Sequence, residues 1–148
     1  MFKTCFSIFC CIIFNVCSQN TKVNNIVNTG VNMTVAILAV DSFVQDGDTI
    51  VALYKINDLS SPISNLFSNP DDFGVGGFTI WKGQRLAIAI WGDDSYSNEK
   101  DGFSINEFIN WAVLRDNKYI PMQMIYKTGK NVWQPNGISI VDSLKLGC

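Results

Sequence analysis

Across residues 32–146 the chain is a succession of short apolar runs, rich in β-branched and aromatic residues. Each run is cut by Gly, Asp, Asn or Pro before it reaches the length of a stable helix. Met33, Val35, Ile37 and Ala39 alternate with Thr34, Ala36, Leu38 and Val40, a strand whose two faces both lean toward burial. Asp46-Gly47-Asp48 turns the chain into TIVALYKI (49–56). These two runs are expected as a hairpin, with the acids accepting backbone hydrogen bonds in the turn. The polar, proline-containing residues 57–72 are expected as a long surface connection.

GVGGFTIW (74–81) leads through Lys82-Gly83 into QRLAIAIW (84–91), and its glycines permit a bulge or a close backbone approach. Residues 108–115 fit a strand, although Ser104 and Glu107 have the spacing of a helix capping box. Residues 118–128 place Ile120, Met122, Met124 and Tyr126 at period two, with Pro121 suited to an edge or to the strand's first portion. Val132-Trp133 and residues 138–146 add short terminal strands. Seven or eight short strands without a long helix predict one all-β domain. The expected architecture is a compact antiparallel β-sandwich, with a β-barrel as the alternative.

Ahead of this body, Lys3 precedes an apolar stretch from Cys5 to Cys17 that is too short for a membrane span. It fits a secretory leader, with cleavage expected between Ser18 and Gln19. A lipoprotein anchored through Cys17 is the alternative. Domain organisation is then a leader over 1–18, a flexible lead-in over 19–31, a β domain over 32–146 and a short end at 147–148. The expected path crosses the periplasm to the outside or to the cell surface. Cleavage would leave 130 of the 148 residues and one cysteine, Cys148. An internal disulfide is thereby excluded, and intermolecular pairing through Cys148 stays open.

The whole chain has 11 basic and 13 acidic residues, a formal charge of -2, so no broad nucleic-acid surface is expected. The sequence contains no histidine, which removes the Ser-His-Asp and Cys-His arrangements and every histidine-ligated metal. A noncatalytic role follows as the expectation. Asp93, Asp94, Glu99 and Asp101 concentrate hard oxygen ligands in GDDSYSNEKDG (92–102), so this loop is the candidate Ca²⁺ clasp. Its spacing departs from an EF-hand, because four residues and not five separate Gly102 from Glu107. Asp93 with Glu99 is also the one carboxylate pair to consider for glycoside hydrolysis. Trp133, Tyr96 and Trp91 are the candidate ligand-binding aromatics, with Trp133 the tryptophan expected nearest the surface. Trp81 and Trp111 are expected in or at the rim of the core.

The segment Ile90-Trp91-Gly92-Asp93-Asp94-Ser95, continued by Glu99-Lys100-Asp101-Gly102-Phe103, resembles a recurrent domain of secreted, modular Bacteroidetes surface proteins. The likeness extends to NTGVNMTVAI (28–37), DGDTIVAL (46–53) and KGQRLAIAIWGDD (82–94), covering roughly residues 28–128. It implies an extracellular β module involved in adhesion, recognising a surface protein or a glycan. The second expectation is a calcium-stabilised spacer or assembly module, with self-association among its partners.

Overall fold

The computed structural model describes residues 26–57, 70–94 and 96–147. The expected leader with Cys17, the start of the lead-in, Ser95 and Cys148 lie outside the described residues. Seven strands follow one another as β1 (Asn32–Ile37), β2 (Thr49–Lys55), β3 (Phe73–Ile80), β4 (Leu86–Trp91), β5 (Asn110–Arg115), β6 (Lys118–Thr128) and β7 (Ile138–Leu146). A 3-10 turn, Pro70–Asp72, precedes β3.

All seven strands belong to one sheet in the order β3-β2-β5-β6-β7-β1-β4, curled into a nearly closed barrel. The class is the expected all-β one, and the architecture is the barrel that stood second to a sandwich. One continuous ladder runs through every strand, so among the described residues there is no second sheet to pack against the first.

The expected hairpin between the first two strands does not form. β1 pairs antiparallel with β4, Met33 opposite Ile90, and parallel with β7, Thr34 opposite Ile138. The chain leaves β1 along β7, where Leu38 N and Asp41 N donate to the carbonyls of Val141 and Leu144. Those bonds carry the connection 38–48 across the barrel end before β2 starts. Side chains in β1 also alternate strictly, with Met33, Val35 and Ile37 buried. Burial on both faces falls instead on β2, where Ile50 through Tyr54 are all buried, and on parts of β3 and β5, where Phe73 to Gly77 and Trp111 to Val113 are.

Two apolar clusters explain that double burial. Inside the barrel, Ile50 and Ala52 of β2 meet Trp111 and Val113 of β5, Val35 and Ile37 of β1, and Val141 and Leu144 of β7. Outside it, Val51, Leu53, Phe73, Val75, Ala112 and Tyr119 form a second cluster, against which Ile26 and Leu114 pack. β6 is a central strand, and it accommodates Pro121 because its ladder with β7 begins only at Met122.

β3 and β4 end the sheet and close the barrel by packing, without a ladder between them. Glycines make this contact. The register between β2 and β3 skips Gly76, which is the bulged residue. A Cβ on Gly77 would strike the Ala89 carbonyl, and one on Gly76 would strike the Phe103 ring. The two readings offered by the GVGG run, bulge and close approach, are both realised.

Strand register assigns the connections to two barrel ends. One end holds residues 38–48, 81–85 and the Asp116-Asn117 turn, in which both residues have positive φ (49° and 59°), as a type I′ hairpin demands. Its main polar feature is Asp48, 5% exposed. Arg115 donates to this carboxylate from Nε at 2.7 Å and from Nη2 at 2.5 Å, and Nη2 also donates to the Phe43 carbonyl at 2.7 Å. The guanidinium lies over the Phe43 ring, 4.7 Å from its centroid.

The Arg115 hydrogen bonds hold the Asp48 carboxyl below its ordinary range, against the opposing effect of its desolvation. A folded-state pKa below the unfolded value contributes stability above the unfolded pKa and loses it as pH falls through the folded one. An Arg115→Gln protein is therefore expected to be less stable than the parent at neutral pH. The gap should narrow as pH drops below 3.8, the unperturbed aspartate value. Urea unfolding at pH about 7 and about 3 measures this; a gap of equal size at both would show that the pair contributes nothing through charge.

Candidate functional site

The opposite barrel end carries the lead-in before β1 and the connections 92–109 and 129–137, and it gathers most of the residues singled out by sequence. Its organising feature is a stack of two glycines and an indole. Gly92 follows β4 and forms a parallel bridge with Phe103, while Asp93 N donates to the Phe103 carbonyl and Phe103 N to that of Trp91. This doubling-back leaves no room for side chains. A Cβ on Gly102 would fall on the Gly92 carbonyl, and a Cβ on Gly92 would fall on the Trp133 ring.

Trp133 is the outcome that departs furthest from expectation. It is 3% exposed, and its Nε1 donates to the Ile90 carbonyl at 3.0 Å. A residue placed next to a Gly- and Pro-containing turn is pulled inward because Asn106 N and the Glu107 carbonyl pair with its backbone on both sides. Exposure for ligand stacking is therefore corrected to a core role. Trp91 is half-buried and Tyr96 stands 95% exposed. The three aromatics do not form one platform.

The acidic loop is held by its own carboxylates. Asp94 Oδ1 accepts from Tyr96 N at 2.8 Å and Ser97 N at 3.2 Å, and Asp93 Oδ1 accepts from Asp101 N at 2.9 Å. Asp101 accepts from Asp94 N and from the Ser97 hydroxyl, each at 3.4 Å. Asp93, Asp94 and Asp101 are thus brought together, whereas Glu99 enters the network through its backbone carbonyl, which accepts from Ser97 Oγ. Partial desolvation, followed by the Asp94 and Asp93 charges, pushes the Asp101 carboxyl up, offset in part by the amide of Asp94. Among the described residues no three acidic or cysteine side chains converge as a metal-holding group.

Glu107 ties the loop's far end down. Its carboxylate accepts from Ser104 N and Lys55 N at 2.8 Å each and from Lys100 Nζ at 2.7 Å. Only half of the capping box suggested by the Ser104 and Glu107 spacing forms: the Glu107 carboxylate takes the Ser104 amide, but Glu107 N donates to the Ser104 backbone carbonyl and not to its hydroxyl. It closes a single turn, after which the chain enters β5. Beneath it, Tyr54 packs edge-on against Phe103, its hydroxyl pushed up to about 12 by burial and by the nearby Asp101, Asp93 and Glu107 charges.

Beside the loop lies a pocket of about 320 Å³, between the connection 129–137 and the start of β7. Met33, Val132 and Ile138 line it with apolar surface, Asn106 and Gln134 with amides, and Lys130 is its one charged lining residue. Gln134 donates a hydrogen bond to the Asn106 side chain across it. Phe108 is the bridge partner of Val132 and so shares its face. Ile138 is 72% exposed, Phe108 69% and Ile105 64%.

Sequence reasoning passed over these residues. The available signal was the apolar phase of β7, where Ile138 and Ile140 give way to Val141 and Leu144. Such a break marks a bulge, and the β6–β7 register does shift there. A second concavity, about 520 Å³, lies at the other barrel end around Asp48 and Arg115. Neither Asp93 nor Glu99 lines either concavity, so the hydrolytic pair has no groove at these two places. Among the described residues no helix is long and apolar enough to cross a membrane. Comparison with protein-family models, with curated proteins and with solved structures finds no match for this chain.

Proposed function

We propose that this chain is a noncatalytic extracellular building module that associates through the loop-bearing end of its barrel. One observation carries the reading. Of the most exposed aliphatic and non-tyrosine aromatic side chains among the described residues, Ile138 lines the pocket, Phe108 is bridged to its lining residue Val132, and Ile105 precedes its lining residue Asn106. An apolar cluster concentrated around a concavity costs solubility unless a partner covers it. The extracellular setting rests on the leader read in residues 1–18 and on the motif likeness to secreted Bacteroidetes surface domains.

Assembly is favoured over recognition of a glycan because the burial of Trp133 withdraws the aromatic on which glycan stacking depended. Calcium is a separate matter, since the carboxylates of Asp93, Asp94 and Asp101 already serve backbone amides. Sedimentation velocity of the processed protein, from micromolar to millimolar concentration and with a reductant to keep Cys148 free, tests the proposal. The expected result is reversible, concentration-dependent association that an Ile138→Asp protein loses. A protein that stays monomeric throughout, with calcium and with chelator, refutes the reading. Parallel arms containing a glycan panel decide whether recognition replaces it.

A further inference from the structure

We infer that the occupant of the pocket is a second copy of this chain, which inserts Tyr96 from its acidic loop; this rests on the assembly reading above. The two surfaces differ in sign of charge, and one offers an exposed ring where the other offers an apolar-walled concavity. Tyr96 projects almost completely, at 95% exposure, from a loop whose backbone is fixed by the Asp94 carboxylate accepting from Tyr96 N and Ser97 N. A phenol presented from a held backbone loses little further freedom on docking, which is why tyrosine serves so often as an interface anchor. Around it stand the exposed Asp93 and Glu99.

The pocket offers the matching features. Val132 and Ile138 provide apolar wall for the ring, and Lys130 provides the single lining charge, opposite in sign to the loop. Lys100, the cation within the loop, is engaged with Glu107 at 2.7 Å. The protein as a whole is net acidic, at -2, so an acidic loop approaching this pocket meets a local exception to the charge of the molecule.

Gly92 continues from β4, whose Trp91 pairs with Asn32 at the start of β1, and Ile138 at the start of β7 pairs with Thr34 of that same strand. Knob and pocket therefore share one barrel end. Two copies related by a two-fold axis can each give a tyrosine and receive one, an isologous contact that closes at the dimer.

The reciprocal contact has a particular signature in mixing experiments. Tyr96→Ala removes both knobs of a homodimer, and Ile138→Asp damages both pockets. Each protein alone is expected to weaken dimerisation at least ~100-fold, the loss of an anchor contact. An equimolar mixture retains one intact Tyr96 facing one intact pocket, so a heterodimer is expected, weaker than the parent dimer and tighter than either variant alone. Raised salt should weaken all of these associations.

Both substitutions fall on exposed side chains, and unchanged thermal melts verify folding. If the parent dimerises and Tyr96→Ala dimerises equally well, this contact is wrong while the assembly reading stands. If both variants are monomeric and their mixture is too, the reciprocal arrangement is wrong. A parent protein that never associates overturns contact and assembly reading together.

Discussion

Replacing Trp133 with alanine is expected to remove about 4 kcal/mol from the unfolding free energy, the loss typical of a large aromatic deleted from a packed interior. Three consequences of burial combine. The indole leaves a cavity at 3% exposure, the Ile90 carbonyl loses its Nε1 donor, and the Gly92 backbone loses the ring that covers it. Trp133→Phe separates them by restoring most of the volume without the donor, and about 1 kcal/mol should remain as the cost of the lost indole hydrogen bond, since the Ile90 carbonyl keeps its partner Met33 in the β1–β4 ladder.

Gly92→Ala supplies the control. Its methyl collides with the indole in the parent protein, but the same methyl enters vacated space when Trp133 is alanine. The two losses should therefore be less than additive, as expected of residues in direct contact. Urea unfolding with constant m-value measures all four proteins. A Trp133→Ala protein of parental stability, or strict additivity with Gly92→Ala, would show that the ring does not sit on that backbone.

Local periodicity recovered the strands well and their neighbours poorly. β6 and β7 occupy the residues assigned to them, the others differ at their ends, as β4 does by starting at Leu86 where residue 84 was expected, and the strand expected at Val132-Trp133 is reduced to an isolated bridge between Val132 and Phe108. Alternation reports which residues face inward, a property decided within a few residues of chain. Pairing is decided by the whole sheet. The parallel contact between β1 and β7 joins residues more than a hundred positions apart, and no local pattern encodes it. Trp133 illustrates the same limit, since a turn-like neighbourhood suggested exposure and distant backbone partners at Glu107 and Asn106 set burial.

Charge pairing was similarly only half legible. Asp48 was placed correctly in a turn, accepting from Gln45 N at 2.8 Å, but its ion pair lies 67 residues away at Arg115. The acidic loop was visible as composition, while its internal geometry follows from which amides the carboxylates reach. The pocket beside it depends on a strand bulge and on a contact between residues 106 and 134, so its members share no sequence pattern.

Gly102→Ala carries the second large expected effect, about 3 kcal/mol, at the upper end of overpacking costs. The added methyl points at the Gly92 carbonyl and the Asp93 amide, which are main-chain atoms. A flexible side chain in that place would rotate aside. Here the loop must move as a unit, because Asp93 N donates to the Phe103 carbonyl at 2.9 Å and Asp93 Oδ1 accepts from Asp101 N at 2.9 Å. Relief by backbone displacement therefore breaks the bonds that hold the acidic loop. Gly74→Ala is the informative comparison, since its methyl would meet the far end of the Tyr54 ring, side-chain atoms and not main-chain ones. Gly102→Ala should lose more stability than Gly74→Ala, and its amide exchange should accelerate around residues 93–102 before the rest of the barrel opens. Equal losses, with exchange rising uniformly, would mean that the Gly92–Gly102 approach is no tighter than an ordinary strand contact and that the loop's order has another source.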